Sequence, residues 1–102
     1  MKRLIVRPEA EADIAKAAVW YASREYALGI EVLLDIQQSI NRALHNPKAF
    51  LCIRKNPEVR RVLTRRFPYR VFFILAEDVL VVFAVLHAAR NERIWRQRLG
   101  PA

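Results

Sequence analysis

The sequence has very little cysteine, glycine and histidine, and each shortage excludes a class of site. Cys52 is the only cysteine, so neither an internal disulfide nor a cysteine-based zinc site can form. Gly29 and Gly100 are the only glycines, too few for a glycine-rich phosphate loop or a dinucleotide-binding turn. His45 and His87 stand far apart, with no spaced histidine or cysteine partners. We therefore predict no metal site and no cofactor.

The sequence also lacks an apolar run of the length that a membrane span or a secretory signal needs. The apolar stretch 71–86 is interrupted by Glu77 and Asp78 and does not span a bilayer. Near the start, two basic residues precede only the three apolar residues 4–6, which is too short for a signal sequence. We expect a cytoplasmic protein that does not bind membranes.

Acidic residues are scarce in the second half of the chain. The chain carries a formal net charge of +8. Residues 1–50 hold 7 basic and 6 acidic residues, a net of +1, whereas residues 51–102 hold 11 basic and 4 acidic residues, a net of +7. Most of the basic residues are arginines, which favour bidentate contacts with phosphate or carboxylate. The pattern predicts an anionic partner, nucleic acid or an acidic protein or both, bound through the second half.

β-Branched and aromatic residues concentrate in this second half and predict three strands. The runs 59–63, 71–75 and 79–86 fit a packed, pleated surface better than a helix. Residues 76–78 between the last two runs are short and polar, which suits a hairpin turn. Neither of these two runs alternates cleanly between apolar and polar residues. We therefore expect both strands to be covered on both faces.

The first half predicts a helical hairpin. Apolar residues at helical spacing indicate one helix over about 8–23, beginning at Pro8, and a second over 30–46. Residues 23–29 are the predicted break between them. Trp20 lies beside the apolar stripe of the first helix, and we expect it to pack in the core or between the helices.

The remaining segments complete an α+β fold. Residues 4–6 predict a first strand, and 47–58, which contain two prolines, predict a loop. After Asn91, which suits a helix N-cap, a short C-terminal helix would pack through its apolar side chains. We expect its arginines to face outward: Arg93, Arg96 and Arg98. The predicted order is β-α-α-β-β-β plus a short terminal helix, in a single domain over 1–102, with the helical hairpin packed on an antiparallel C-terminal sheet.

Two motifs carry a family resemblance. Phe67-Pro68-Tyr69-Arg70-Val71 is followed by the predicted hairpin and then by Val85-Leu86-His87-Ala88-Ala89-Arg90-Asn91. With the helical first half and the chain length, this pattern resembles the RelE/ParE toxins of bacterial type II toxin–antitoxin modules over essentially the whole chain. The resemblance implies that the first strand lies beside the last.

The two motifs look closer to the ParE-like branch. That resemblance implies a plasmid-stabilisation type of toxin that inhibits DNA gyrase by binding, without catalysis. Arginines would then contact the target or phosphates of its DNA. The candidates are Arg65, Arg66, Arg70, Arg90, Arg93 and Arg96.

The RelE branch, which cleaves mRNA on the ribosome, is the alternative. RNA cleavage requires deprotonating a 2′-OH, stabilising the phosphorane and protonating the leaving oxygen. The resemblance implies Arg61, Arg70 and Arg90 as catalytic candidates. The imidazole of His87 is a further catalytic candidate, as a general base. However, the second lysine of that branch corresponds to Leu63, and its tail tyrosine is absent. His87 has no carboxylate nearby in sequence, which favours a hydrogen-bonded structural role.

The resemblance also implies a protein partner. An antitoxin with an acidic and apolar docking segment would bind the helix pair and a sheet edge, forming a toxin–antitoxin hetero-oligomer. A third possibility is an inactive, toxin-derived binding module. For any single arginine, ordinary solvated surface charge also stays open as an interpretation.

Overall fold

A computed structural model describes residues 2–89 and 92–100 of the chain. Within these residues, five strands form one sheet and three helices pack against it. The elements in chain order are β1 (Arg3–Val6), α1 (Pro8–Arg24), α2 (Tyr26–His45), β2 (Leu51–Lys55), β3 (Glu58–Leu63), β4 (Tyr69–Leu75), β5 (Val79–His87) and α3 (Glu92–Leu99). The predicted α+β class is confirmed. None of these helices has both the length and the apolar character needed to cross a membrane.

The sheet is an antiparallel meander with one parallel strand added. The strand order is β1-β5-β4-β3-β2, so the first strand lies beside the last, as the resemblance implied, and these two strands are parallel. The predicted hairpin turn at 76–78 joins β4 to β5. The pairing of β1 ends where Val6 meets Val82. Beyond Val82, β5 therefore has no strand on that side within the described residues.

The loop predicted over 47–58 is wrong. A single 3₁₀ turn, Pro47–Ala49, leads into the edge strand β2, which pairs antiparallel with β3. The two prolines flank this strand, so neither removes a hydrogen bond from the sheet. The guanidinium of Arg60 strengthens the edge, because its Nη1 donates to the carbonyl of Phe50 at 2.6 Å.

The predicted break between the helices is too long. Only Glu25 separates α1 from α2, and Gly29 lies inside α2. A Cβ at Gly29 would lie 2.8 Å from the Cβ of Ala22 and 2.9 Å from the carbonyl oxygen of Ala18. The glycine therefore serves close packing of the two helices.

The sheet is covered on both faces, as its apolar strands predicted. On one face, α1 and α2 pack on a core that includes Val71, Phe73 and Val82. On the other face, Trp95 of α3 joins Phe72 and Phe83 in a second core. The hairpin of β4 and β5 thus packs against α1 and α2 on one face and against α3 on the other.

The core role predicted for Trp20 is wrong, because its side chain is half exposed. Tyr21 takes the inward position instead, with its ring 4.9 Å from that of Phe67 and 6.2 Å from that of Tyr69. The guanidinium of Arg24 covers the exposed indole, 4.1 Å from its centroid. Tyr21 belongs to the apolar stripe of α1, whereas Trp20 lies beside the stripe and stays half exposed.

Candidate functional site

Two arginines lie side by side on the α3-bearing face of the sheet. Arg61 pairs in register with Phe72, and Leu63 pairs with Arg70. Arg61 and Arg70 are therefore diagonal neighbours, with Cα atoms about 7–8 Å apart. Both are partly buried. Within residues 2–89 and 92–100 neither side chain has a hydrogen-bond or ion-pair partner, and the Nε atom of Arg70 is buried without an acceptor. This pair is suited to an external anion.

Helix α3 adds further arginines to this face. Trp95 is 2% exposed and stacks on Phe72, with ring centroids 5.8 Å apart. The guanidinium of Arg96 lies 4.9 Å from the centroid of the Trp95 ring and pairs with Glu92 at 3.2 Å. Arg93 is exposed on the same helix. The candidate Arg90 lies outside the described residues.

The outward orientation predicted for Arg98 is wrong. Its Nη1 and Nη2 atoms lie 2.5 Å and 3.0 Å from the two carboxylate oxygens of Asp13, and Nη1 also donates to the carbonyl of Phe83. Asp13 in turn accepts the backbone N–H of Val85 at 2.9 Å. The hydrogen bond to Asp13 raises the pKa of Arg98. These two side chains satisfy the part of β5 that has no strand beside it, and they fix α3 to α1.

Arg65 and Arg66 lie in the 64–68 loop, which is held by one buried carboxylate. Asp35 of α2 accepts the backbone N–H groups of Arg65, Arg66 and Phe67 at 3.1, 2.9 and 2.8 Å. Burial by itself raises the pKa of Asp35, but these three donors and the charge of Arg42 outweigh it and hold the pKa below its ordinary value.

Sequence reasoning missed Asp35, although a signal was present. It is an acidic residue adjacent to the apolar face of α2, between Val32 and Ile36, and it is only 5% exposed. A carboxylate at such a position needs several donors. Because its donors are backbone groups of a distant loop, no side-chain pattern identifies them.

The side chains of the loop arginines diverge. Arg66 pairs with Glu31 at 2.9 Å, and this hydrogen bond raises the pKa of Arg66. The side chain of Arg65 is exposed and has no hydrogen bond or ion pair within the described part of the chain. Arg65 therefore remains available for an external anion, whereas Arg66 is partly neutralised.

His87 lies on the opposite face of the sheet from Arg61 and Arg70. A bulge in β5, where Phe72 pairs with Ala84 and Phe73 with Val82, leaves Phe83 as an extra residue. The bulge reverses the alternation of the following residues. His87 consequently pairs with Tyr69 on the helix-facing side, and their ring centroids lie 5.5 Å apart.

The local contacts of His87 are those of a positioned structural residue. Its Nδ1 atom accepts the N–H of Ala89 at 3.0 Å, which places the proton of the neutral ring on Nε2. It lines a cleft of about 380 Å³ with Trp20, Tyr21 and Tyr69. Burial raises the pKa of Tyr69. The structure thus brings Arg61 and Arg70 together but does not add His87 to them.

An exposed apolar stripe runs along the outer side of α2. Helical spacing aligns its members, whose exposed fractions range from 40% to 79%. They are Tyr26, Ile30, Leu33 and Leu34. A contiguous apolar surface of this kind is typical of a protein interaction site. Among the described residues, no three His, Cys, Asp or Glu side chains are grouped as metal ligands would be.

Comparisons with known proteins agree with this architecture. A family model described as the ParE toxin of the type II toxin–antitoxin system, parDE, matches residues 4–92. Among solved structures, the chain is similar to one titled "Chromosomal ParDE TA system from P. aeruginosa", with a TM-score of 0.74 and 16% sequence identity. That similarity covers 85% of this chain and 96% of the other. No curated protein matches the chain significantly.

Proposed function

Since this chain belongs to the ParE toxin family of type II toxin–antitoxin systems, we propose that it inhibits DNA gyrase by binding and that a cognate antitoxin neutralises it. The whole chain would act as one toxin domain in the cytoplasm, in a hetero-oligomer with the antitoxin. Membership of this family implies an antitoxin as the partner. Gyrase as the target, and neutralisation by that antitoxin, are our proposal.

The observation that carries the gyrase proposal is the unpartnered pair formed by Arg61 and Arg70. These two guanidinium groups supply charge for a phosphate or carboxylate of the target. The candidate general base, His87, does not accompany them within the described residues, because it lies on the other face of the sheet. Each missing acid or base forgoes a factor of about 10²–10⁴ in rate. Anion binding without efficient cleavage is therefore the function that this geometry supports best.

We expect the purified protein to inhibit gyrase supercoiling and to leave translated mRNA intact. Replacing both Arg61 and Arg70 with glutamine should raise the inhibitory concentration roughly tenfold or more, because a hydrogen bond to a charged group contributes about 1.5–3 kcal/mol. The control is Arg3→Gln, which removes one positive charge, against two in the double variant, from an exposed site at the far edge of the sheet. The double variant and the control are compared in supercoiling assays and by mapping mRNA ends.

Ribosome-dependent mRNA cleavage is the second candidate, because Arg61 and Arg70 are neighbours at positions that the resemblance assigns to that branch. Cuts at defined codon positions with supercoiling unchanged would contradict the gyrase proposal. Arg61, Arg70 and Arg90 would then become the catalytic candidates. If the double variant still inhibits gyrase or cleaves mRNA as the wild-type protein does, Arg61 and Arg70 are ordinary surface charge.

The antitoxin is proposed to cover the apolar stripe of α2 and to pair acidic side chains with nearby arginines. We expect the complex to survive moderate salt, because screening weakens exposed ion pairs but not apolar burial. Ile30→Asp and Leu34→Asp should each weaken the complex about tenfold or more, since burying such a side chain contributes about 1.5–3 kcal/mol. Co-purification from the two expressed genes across a salt series measures this.

The matched control for these two changes is Leu51→Asp. Leu51 is also an exposed leucine, 57% exposed, but it lies on the edge strand β2, on the sheet face opposite α2. A complex that dissociates in moderate salt, or that Leu51→Asp weakens as much as Leu34→Asp, would show that the stripe is not the docking surface.

A further inference from the structure

We propose that a groove at the C-terminal end of α2 is a phosphate-binding site, separate from the pair formed by Arg61 and Arg70. The groove measures about 600 Å³ and opens between the last turns of α2 and the 64–68 loop. Its polar lining consists of Asn41, Arg42, His45, Asn46 and Arg65. This site goes beyond gyrase inhibition and does not depend on it.

The groove concentrates positive charge, and within the described part of the chain neither Arg42 nor Arg65 forms an ion pair. Arg42 and Arg65 line the same groove. Burial lowers the pKa of Arg42 and the charge of Arg65 lowers it further, although the charge of Asp35 acts in the opposite direction. Among the lining residues that the structure describes, none is acidic. Asp35 is the nearby carboxylate, but its two oxygens already accept three backbone N–H groups. A bound anion would relieve this repulsion at close range.

Arg42 is fixed in place before any ligand arrives. Its Nη2 atom donates to the hydroxyl of Ser39 at 2.9 Å and to the carbonyl of Leu63 at 3.1 Å. Its Nε is buried without an acceptor, and Nη1 has no acceptor among the residues that the structure describes. A guanidinium held by two bonds, with donors left over, is preorganised for an anion and loses little entropy on binding.

The number of donors favours phosphate over carboxylate. Arg65 brings a second guanidinium, and His45 and the two asparagines can add further N–H groups, more than the two oxygens of a carboxylate accept. The C-terminal end of α2 carries partial negative charge, which weakly opposes an anion. Two charge-assisted hydrogen bonds from guanidinium groups outweigh that opposition.

Binding is tested on the folded protein by NMR of the arginine Nε–H groups. The buried Nε–H of Arg42 should give a protected cross-peak, assigned by its absence in Arg42→Lys. At constant ionic strength, sodium phosphate should shift this peak in a saturable way, whereas sodium chloride should not. Arg65→Gln should weaken phosphate binding about tenfold, and Arg3→Gln should leave it unchanged. Arg65→Gln keeps the backbone N–H that binds Asp35, so the loop should retain its fold.

A short single-stranded DNA and inorganic phosphate distinguish the two sources of the ligand. If both shift the Arg42 peak and Arg65→Gln weakens both, the site takes the nucleic-acid backbone. If only inorganic phosphate does so, it takes a small phosphate. The proposal is overturned by an unmoved peak, by acetate binding as tightly as phosphate, which would indicate an acidic protein segment, or by equal losses in Arg65→Gln and Arg3→Gln.

Discussion

Asp35→Ala should lower the free energy of unfolding by about 3–5 kcal/mol, because it leaves three backbone N–H groups of the 64–68 loop without their acceptor. Each orphaned, partly buried donor costs about 1–3 kcal/mol, and water entering the loop recovers part of the sum. The loss is measured as a shift of the urea midpoint with an unchanged slope.

Glu31→Ala is the matched control for Asp35→Ala. Glu31 is also an acidic residue of α2 that binds the same loop, but through the exposed side chain of Arg66. An exposed ion pair of this kind contributes about 0–1 kcal/mol. Similar losses in the two variants would mean that the loop does not depend on the buried carboxylate.

The lowered pKa of Asp35 predicts that its contribution to the free energy of unfolding depends on pH. Its pKa in the folded protein lies below the ordinary value. The carboxylate therefore contributes its full stability above the unfolded-state pKa of about 3.9, and the contribution is lost as the pH falls through the lower folded-state value. Asp35→Asn cannot ionise. It should be less stable than the wild-type protein at neutral pH, and this difference should narrow below about pH 4.

Local sequence patterns determined much of the fold but little of its long-range pairing. The hairpin of β4 and β5 and its turn at 76–78 follow from β-branched runs around a polar tripeptide. The prolines of 47–58 predict a loop, whereas in the structure they lie on either side of strand β2 and mark its limits. Gly29 predicts a helix break, because the sequence does not show that a Cβ at this position would lie 2.9 Å from the carbonyl oxygen of Ala18.

The candidate site was predicted in part. The charge asymmetry pointed to arginines of the second half, and Arg61 and Arg70 do share a face. Strict alternation along β5 would have placed His87 on that face as well. One extra residue, Phe83, reverses the alternation, and nothing in an unbroken apolar run marks its position. The contact between Asp13 and Arg98 joins residues 85 positions apart, beyond the reach of any local pattern.

Trp95→Ala should release α3 from the sheet and destabilise the protein by about 3–5 kcal/mol, the usual cost of truncating a buried tryptophan. The helix has only eight residues, too few to persist alone. Trp95 supplies its buried contact with Phe72, and the ion pair between Arg98 and Asp13 is its second attachment. Because the sequence candidates for target contact include Arg93 and Arg96 of this helix, we also expect weaker inhibition of supercoiling.

Trp20→Ala is the matched control, since Trp20 is 50% exposed and its loss should cost about 1 kcal/mol or less. In Trp95→Ala, α3 can be released while the rest of the protein stays folded. The decrease in the free energy of unfolding therefore cannot exceed the free energy with which α3 docks on the sheet. Amide hydrogen exchange separates the two events: protection should vanish in Glu92–Leu99 and persist in β4 and β5. Equal destabilisation by the two tryptophan variants, or full protection of α3 in Trp95→Ala, would show that the indole does not hold this helix.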